Sequence, residues 1–414
     1  MHICVLGLGY IGLPTAALLA SKGLQVLGVD TDCSVIDKLK QGEVHIEETE
    51  LNDMVEKSVA AGYLHFASQP KTADIFIIAV PTPCTEARTC DLSYVIQAVK
   101  AIIPILKAGN MIIVESTIAP RSYDDYLKPL LEKAGFQVGK DICLAHCPER
   151  VLPGNIIEEL IMNNRIIGGC NTDCGKAAAN FYRQVVKGDI FLTDIKTAEM
   201  TKLVENTFRD VNIALVNELT RICNKLGLNV LEVIELANKH PRVELLQPGP
   251  GVGGHCLAID PYFIVENVPK EARLIALARE INSSMPAYIA SRINELLIGI
   301  KIPHVAVFGI TYKGNIDDCR ESPALEIIRI LREENFITSI YDPHVSHTTM
   351  PGMEQDATLA VKGADMILIL TDHQEFRSLD YCNLSKEMRT PLIFDTKNII
   401  PGQDFSCSEI RVYN

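Results

Sequence analysis

Cys256 stands at the end of the run Gly249-Pro250-Gly251-Val252-Gly253-Gly254-His255, and Asp260 follows four residues later. The thiolate is the nucleophilic form of cysteine, a nearby carboxylate can take a proton, and glycines let backbone approach a ligand with no Cβ in the way. Such a set fits covalent catalysis, in which sulfur adds to a carbonyl. A glycine-rich turn beside a buried core cysteine would have the same sequence. Lys202 and Asn206 lie four apart in a stretch of helical periodicity. They therefore share a helix face, where an ammonium and an amide can stabilise a thiolate and an oxyanion. Taken alone, Lys202 reads equally well as part of a solvated face.

A second constellation opens the chain. The apolar run Ile3 to Leu6 leads into Gly7-Leu8-Gly9-Tyr10-Ile11-Gly12, a helical stretch from Leu13 to Ala20, and a second apolar run, Gln25 to Val29, that ends on Asp30. Strand, tight turn, helix, strand and acid in this order form a dinucleotide fingerprint: glycines permit the turn and the approach of a pyrophosphate to the helix N-terminus, and the acid meets a ribose hydroxyl. A carboxylate at position 30 would repel a 2′-phosphate, so the expected cofactor is NAD rather than NADP.

The chain must supply elements that bring these groups into play. Its 414 residues suffice for two or three domains, with 47% hydrophobic and 22% charged residues as in ordinary globular proteins. A net charge of −13 argues against nucleic acid or an anionic membrane as partner. Thirteen cysteines show no spacing of a disulfide scaffold, which fits a reducing cytoplasm. No apolar run approaches the ~20 residues of a spanning helix. Cys143, His146, Cys147, Cys170 and Cys174 lack paired zinc-ligand spacing, so no metal is expected.

Apolar runs at Ile75–Val80, Met111–Val114 and Ile142–Ala145 alternate with helical segments, which implies a parallel, doubly wound sheet over residues 1–193. After Thr193-Asp194, a capping pair, apolar residues recur at helical spacing from Lys196 to Leu226 without proline or glycine. A helix this long bridges domains or forms a dimer face, and a central helical segment over 194–300 is expected. Residues 301–414 echo the start: His304 to Gly309, Ile340-Tyr341-Asp342, Ala364 to Leu370 and Leu392 to Asp395 repeat the strand pattern. The fold class is therefore α/β, with two Rossmann-like doubly wound domains joined by a long central helix. The turn Gly309 to Gly314 departs from the fingerprint and suits a different nucleotide.

With these pieces in order, the chain resembles the UDP-glucose/GDP-mannose dehydrogenase family over essentially its whole length. The motifs are Gly7-x-Gly9-x-x-Gly12, Val80-Pro81-Thr82-Pro83, Glu115-Ser116-Thr117, Pro148-Glu149-Arg150, Lys202-x-x-x-Asn206, Gly249 to Cys256 with Asp260, and Lys313 with Arg320. Within the family, Cys147 to Gly154, His240-Pro241-Arg242-Val243 and Gln247 to Cys256 are most similar to UDP-N-acetyl-D-mannosamine 6-dehydrogenases. The resemblance implies oxidation of a sugar C6 alcohol to a carboxylate by two NAD⁺, with Cys256 as nucleophile, Asp260 and Lys202 managing the first proton, and Asn206 stabilising oxyanions. It gives Glu149, assisted by Thr117, the activation of water in thioester hydrolysis. It places Gly7, Gly9, Tyr10, Ile11, Gly12, Asp30, Pro81, Thr82, Thr117 and Arg320 at the cofactor. At the nucleotide sugar it places Glu149, Arg150, Val151, Lys202, Asn206, Arg242, Gly249, Gly251, Gly253, Gly254, Tyr312 and Lys313. Arg242 resembles an arginine that reaches a neighbouring subunit's substrate, so a homodimer or larger homo-oligomer is expected.

Ile259 stands where the UDP-glucose subgroup typically has a lysine, which makes UDP-glucose a poorer fit than a 2-acetamido sugar. The manno and gluco epimers are not separated by physics at this level. Glu149 could instead form a salt bridge with Arg150 or cap a helix. Two other functions remain open: a single-step β-hydroxyacid dehydrogenase, which needs neither Cys256 nor residues 303–414, and a non-catalytic sensor of NAD and a nucleotide sugar, which needs no Cys256, Lys202, Asn206 or Asp260.

Overall fold

The computed structural model describes every residue except 47, 49, 152, 153, 401–410 and 414. Leu152 and Pro153, part of the Cys147–Gly154 motif, thus lie outside the described residues. The chain divides into two compact units, Met1–Glu205 with Tyr262–Val268, and Asn206–Pro261 with Pro269–Asn414.

The first unit is built on eight strands: β1 (His2–Leu6), β2 (Gln25–Val29), β3 (Leu64–Ala67), β4 (Ile75–Ile78), β5 (Met111–Val114), β6 (Cys143–His146), β7 (Arg165–Gly169) and β8 (Ile190–Asp194). Their order in the sheet is β3-β2-β1-β4-β5-β6-β7-β8. Alternation along β1 feeds two cores. Ile3 and Val5 pack on one face with Leu13, Ala16 and Ala17, while Cys4 and Leu6 pack on the other with Val95, Val99 and Ile102. Both faces are covered, which is why β4 and β5 read as unbroken apolar runs. The strand order reverses around β1, so the crevice at the carboxyl ends of β1 and β4 receives the glycine turn.

One expectation fails. The sheet is not wholly parallel, because β7 runs antiparallel to β6 with Ala145 opposite Gly169 and His146 opposite Gly168. An antiparallel neighbour starts at the end where the previous strand stops, so the connection that carries the helix Ile156–Met162 needs no crossing to the opposite end of the sheet. Arg165 consequently opens its strand beside the segment that carries Glu149.

The second unit contains β9 (His304–Phe308), β10 (Ile337–Tyr341), β11 (Met366–Ile369), β12 (Leu392–Asp395) and β13 (Arg411–Tyr413), ordered β10-β9-β11-β12-β13. All its pairings are parallel. The last strand was not foreseen in the sequence. Val305 and Val307 point into one core and Ala306 and Phe308 into the other, the same device as in β1.

The helix Ile195–Leu226 runs unbroken for 32 residues. Asp194 starts it, its carboxylate accepting from the Thr197 amide at 3.1 Å and from the Thr197 hydroxyl at 2.6 Å. Met200, Val204, Phe208, Leu215, Ile222 and Leu226 remain exposed along it. Among the described residues, eleven cysteines carry free thiols and Cys382 is disulfide-bonded, a bond the spacing did not announce. No helix of the described residues is long and apolar enough to cross a membrane.

Candidate active site

The three glycines of the first turn do different work. A Cβ on Gly7, whose φ is +90°, would lie 2.6 Å from the Ala79 carbonyl oxygen, and one on Gly12 would lie 1.8 Å from that of Gly7. Both are packing glycines. Gly9 has nothing within 4 Å of a built Cβ, so its face is open to a ligand. The helix that follows, Gly12–Ser21, has no side-chain cap, so its N-terminus can face an anion. Asp30 ends β2 and is oriented by the Leu8 and Asp32 amides at 2.9 and 3.0 Å. Tyr10 is exposed, Ile11 and Thr117 are half-buried, and Pro81 and Thr82 follow β4. Ser116 donates to the Val80 carbonyl at 2.7 Å and so ties the two loops that carry Thr82 and Thr117. These residues fit an NAD molecule, whose pyrophosphate would meet Gly9 and the helix amides and whose ribose would meet Asp30.

Glu149 is buried in the same unit and forms an ion pair with Arg165, itself buried. Neither sequence alternative for Glu149 describes this. Arg150 turns away to Glu205, at 2.8 Å, and Glu149 caps no helix. Arg165 also donates to the Leu160 carbonyl at 3.2 Å and lies 5.1 Å over the Tyr182 ring. Tyr182 donates its hydroxyl to Glu115 at 2.6 Å. Lys202 is buried on the long helix, and three residues before it Glu199 accepts the Arg121 and Tyr123 amides at 2.8 and 2.9 Å. Burial is the main cause that pushes the Glu199 carboxyl up to about 7.

In the second unit, Asn206 donates to the buried Asp260 carboxylate at 2.6 Å. Asp260 opens a short helix, and its amide donates back to the Cys256 carbonyl at 2.9 Å, so acid and thiol share one turn of chain. Cys256 is exposed. His255 beside it is held below the usual imidazole value by burial and by Arg320, so it is neutral near pH 7 and is not the cation that would stabilise a thiolate.

The glycine run departs from expectation. Its bare backbone does not chiefly leave space for a ligand. A Cβ on Gly251 would meet Pro323, one on Gly253 the Glu321 carbonyl at 2.6 Å, and one on Gly254 the Tyr312 ring at 2.8 Å. The chain's own residues fill that side. Gly249 faces a cation, with the Lys397 ammonium 3.8 Å from a built Cβ. The Gly249 amide donates to Asn217 at 3.0 Å, and Asn217, Asn282, Asp210 and Arg279 continue as a buried chain of hydrogen bonds. Lys313, Arg320 and Arg242 are exposed, and Arg320 pairs with Asp318.

The chain matches the UDP-glucose/GDP-mannose dehydrogenase family in three consecutive parts: its NAD binding domain at residues 1–186, its central domain at 196–284 and its UDP binding domain at 306–402. It belongs to that family. It is 47% identical to a UDP-N-acetyl-D-mannosamine dehydrogenase of Methanocaldococcus jannaschii, covering 100% of this chain and 96% of the relative. An NDP-N-acetyl-D-galactosaminuronic acid dehydrogenase of Ralstonia nicotianae is 45% identical over 96% of each chain. Among solved structures, a UDP-N-acetyl-mannosamine dehydrogenase of Staphylococcus aureus has a TM-score of 0.93 and 50% identity, covering 100% of this chain and 98% of that one. The protein is an NAD-dependent UDP-sugar dehydrogenase, and nothing in these similarities points to a non-catalytic sensor.

Family motifs did not bring out Arg165, Tyr182 or Lys397. An arginine opening an apolar strand was the available signal for the first. In the UDP binding domain, His344, His373 and Glu375 gather closely enough to suggest a metal. Yet His373 accepts the Asn315 amide on Nδ1 at 2.9 Å, which puts its proton on Nε2, 3.2 Å from Asp342. No lone pair is left on that ring for a cation. Asp342, which matches Asp30 in position, accepts the Ile310 amide at 2.8 Å much as Asp30 accepts that of Leu8, but it is buried against His373.

Proposed function

We propose that this enzyme oxidises the C6 hydroxyl of UDP-N-acetyl-D-mannosamine to the carboxylate in two steps, with Cys256 holding the intermediate aldehyde as a thiohemiacetal and then a thioester. The observation that carries the reading is the exposed Cys256 one turn from a buried Asp260 that Asn206 grips at 2.6 Å. A buried carboxylate fixed by an amide donor is a placed proton acceptor, and the neighbouring thiol is a nucleophile for the product of the first oxidation.

Asp260, with Lys202, takes the proton of the C6 hydroxyl. NAD, when bound, accepts the hydride at each oxidation. Asn206 and Lys202, one helical turn apart, stabilise the oxyanions that form when sulfur and later water add to the carbon. Glu149, with Thr117, deprotonates the water that releases the acid. The family resemblance assigns Lys313, Tyr312, Arg150, Val151 and the backbone of the glycine run to the nucleotide sugar, and Lys397, which faces Gly249 and lies 3.8 Å from Asp372, adds a cation there. The family resemblance assigns Arg320 to the cofactor.

We further propose a homodimer or larger homo-oligomer, with Arg242 acting on the neighbouring copy's substrate. The apolar residues left exposed along one long helix support it, since such a stripe needs a covering partner. Residues 1–193, 194–300 and 301–414 would serve cofactor binding, assembly and nucleotide binding. The free thiols suit a reducing cytoplasm, where Cys256 stays reduced.

The similarity to the Ralstonia enzyme favours a second reading, in which the substrate is another 2-acetamido sugar such as UDP-N-acetylglucosamine or its galacto epimer. NADH formation with a panel of UDP-hexoses separates the two. The mannosamine sugar should give the highest kcat/KM, with UDP-glucose roughly ten- to hundredfold lower because it leaves the acetamide's polar partners unpaired. An equal or higher value for another sugar overturns the substrate assignment.

A further inference from the structure

Glu149 is 8% exposed and Arg165 is 4% exposed, and the two form an ion pair. A carboxylate this deeply buried takes up a proton unless a cation compensates it, and a protonated carboxyl cannot serve as a base. Arg165 is itself fixed from three sides. The Leu160 carbonyl accepts from Nη2 at 3.2 Å, Cys147 sulfur lies 3.9 Å from Nη1, and the Tyr182 ring lies beneath the guanidinium. Tyr182 is anchored in turn by Glu115, which also receives the Thr15 hydroxyl at 3.4 Å.

Among the described contacts, Arg165 is the cation paired with Glu149, while buried Lys202 and His146 belong to the same unit. From the end of β5 comes Glu115, a second acid. From the helix Thr172–Tyr182 comes Tyr182, which burial keeps un-ionised, and burial likewise raises the Cys147 thiol. Arg150, next in sequence to Glu149, is engaged with Glu205 on the long helix. With Arg165 removed, Glu149 would lose the cation it pairs with while staying buried.

We propose that Arg165 is a positioning residue for the hydrolytic half of the reaction, holding Glu149 ionised and aimed so that it can activate water at neutral pH. This rests on the reading of Glu149 as the water-activating base. In that step the water oxygen bonds to the thioester carbon, its proton passes to Glu149, and the electron pair of the broken C–S bond returns to the Cys256 sulfur. Arg165 touches neither water nor substrate. It acts through Glu149, so its loss should slow acid release without slowing the first hydride transfer.

Wild type, Arg165→Lys, Arg165→Gln and Glu149→Gln can be compared from about pH 6 to about pH 9, using UDP-N-acetyl-D-mannosamine and NAD, by stopped-flow NADH formation and by intact mass of quenched enzyme. Glu149→Gln should accumulate the Cys256 adduct at every pH. Arg165→Gln should accumulate it at the acid end and lose it as pH rises, its acid limb gaining about tenfold in rate per pH unit. Arg165→Lys should lie between Arg165→Gln and wild type, since the cation stays but its bracing is lost; it decides alone should the glutamine variant not fold. Adduct in Glu149→Gln with neither adduct nor a displaced limb in the Arg165 variants overturns the role of Arg165 and leaves that of Glu149. Absence of adduct in Glu149→Gln overturns both.

Discussion

Asn206 and Asp260, 54 positions apart in sequence, meet in a 2.6 Å hydrogen bond from an amide to a buried carboxylate. The bond fixes the acid one turn from Cys256 and uses one of the two N–H donors of Asn206. The second is the donor that the proposed mechanism assigns to an oxyanion.

Replacing Asn206 by Ala should therefore lower kcat by about 10²–10³-fold, the usual effect of deleting an oxyanion donor, while costing stability about 1.5–3 kcal/mol, the usual range for a hydrogen bond to a charged group. Asp260→Asn should abolish the first hydride transfer with a comparable loss of stability. NADH bursts and thermal melts of the two variants check both statements. A burst of wild-type rate in Asp260→Asn would remove it as the base.

Glu199 gives a pH signature in stability. Burial raises its carboxyl from 4.5 to about 7 in the folded state, so the folded chain binds more protons than the unfolded chain in that interval. Its contribution is then greatest below about pH 4.5 and is lost as pH climbs through about 7, on the order of 3 kcal/mol in all. Glu199→Gln should flatten this part of the profile, so that the variant gains on wild type between those limits. Denaturant melts at several pH values measure it, and a wild-type slope in the variant refutes the assignment.

The glycines of the cofactor turn separate by role. Gly9→Ala, pointing into open space, should leave the melting temperature nearly unchanged yet weaken NAD binding about tenfold or more. Gly12→Ala, with a clash against Gly7, should cost several degrees. Calorimetric titration with NAD beside melts distinguishes them, and equal melts for the two substitutions would contradict the packing argument.

The long helix carries Leu215 and Ile222 seven residues apart and exposed. Leu215→Glu with Ile222→Glu should convert the proposed homo-oligomer to monomers, seen by sedimentation, because charges in the seam that this proposal buries would lose solvation. An unchanged sedimentation coefficient would place the interface elsewhere.

The sequence carried the fold where one rule dominates. Continuous apolar runs announced β4 and β5, and Asp194 announced the helix start. The fingerprint glycines identified the cofactor turn, although only the packing around Gly7, Gly9 and Gly12 tells which of them faces a ligand. Strand direction was not legible, since Arg165–Gly169 has the same composition whichever way it runs. The ion pair of Glu149 was hidden for the same reason, its partner lying across that antiparallel step. The glycine run before Cys256 was legible as tight backbone but not as to what presses on it, because Tyr312 and Pro323 come from a distant segment.

The most direct test of covalent two-step oxidation is product analysis of Cys256→Ala with UDP-N-acetyl-D-mannosamine and NAD. Wild type should form two NADH per uronate, and the variant should bind the nucleotide sugar nearly normally while forming no uronate. Uronate formation by Cys256→Ala at the wild-type rate would contradict the account.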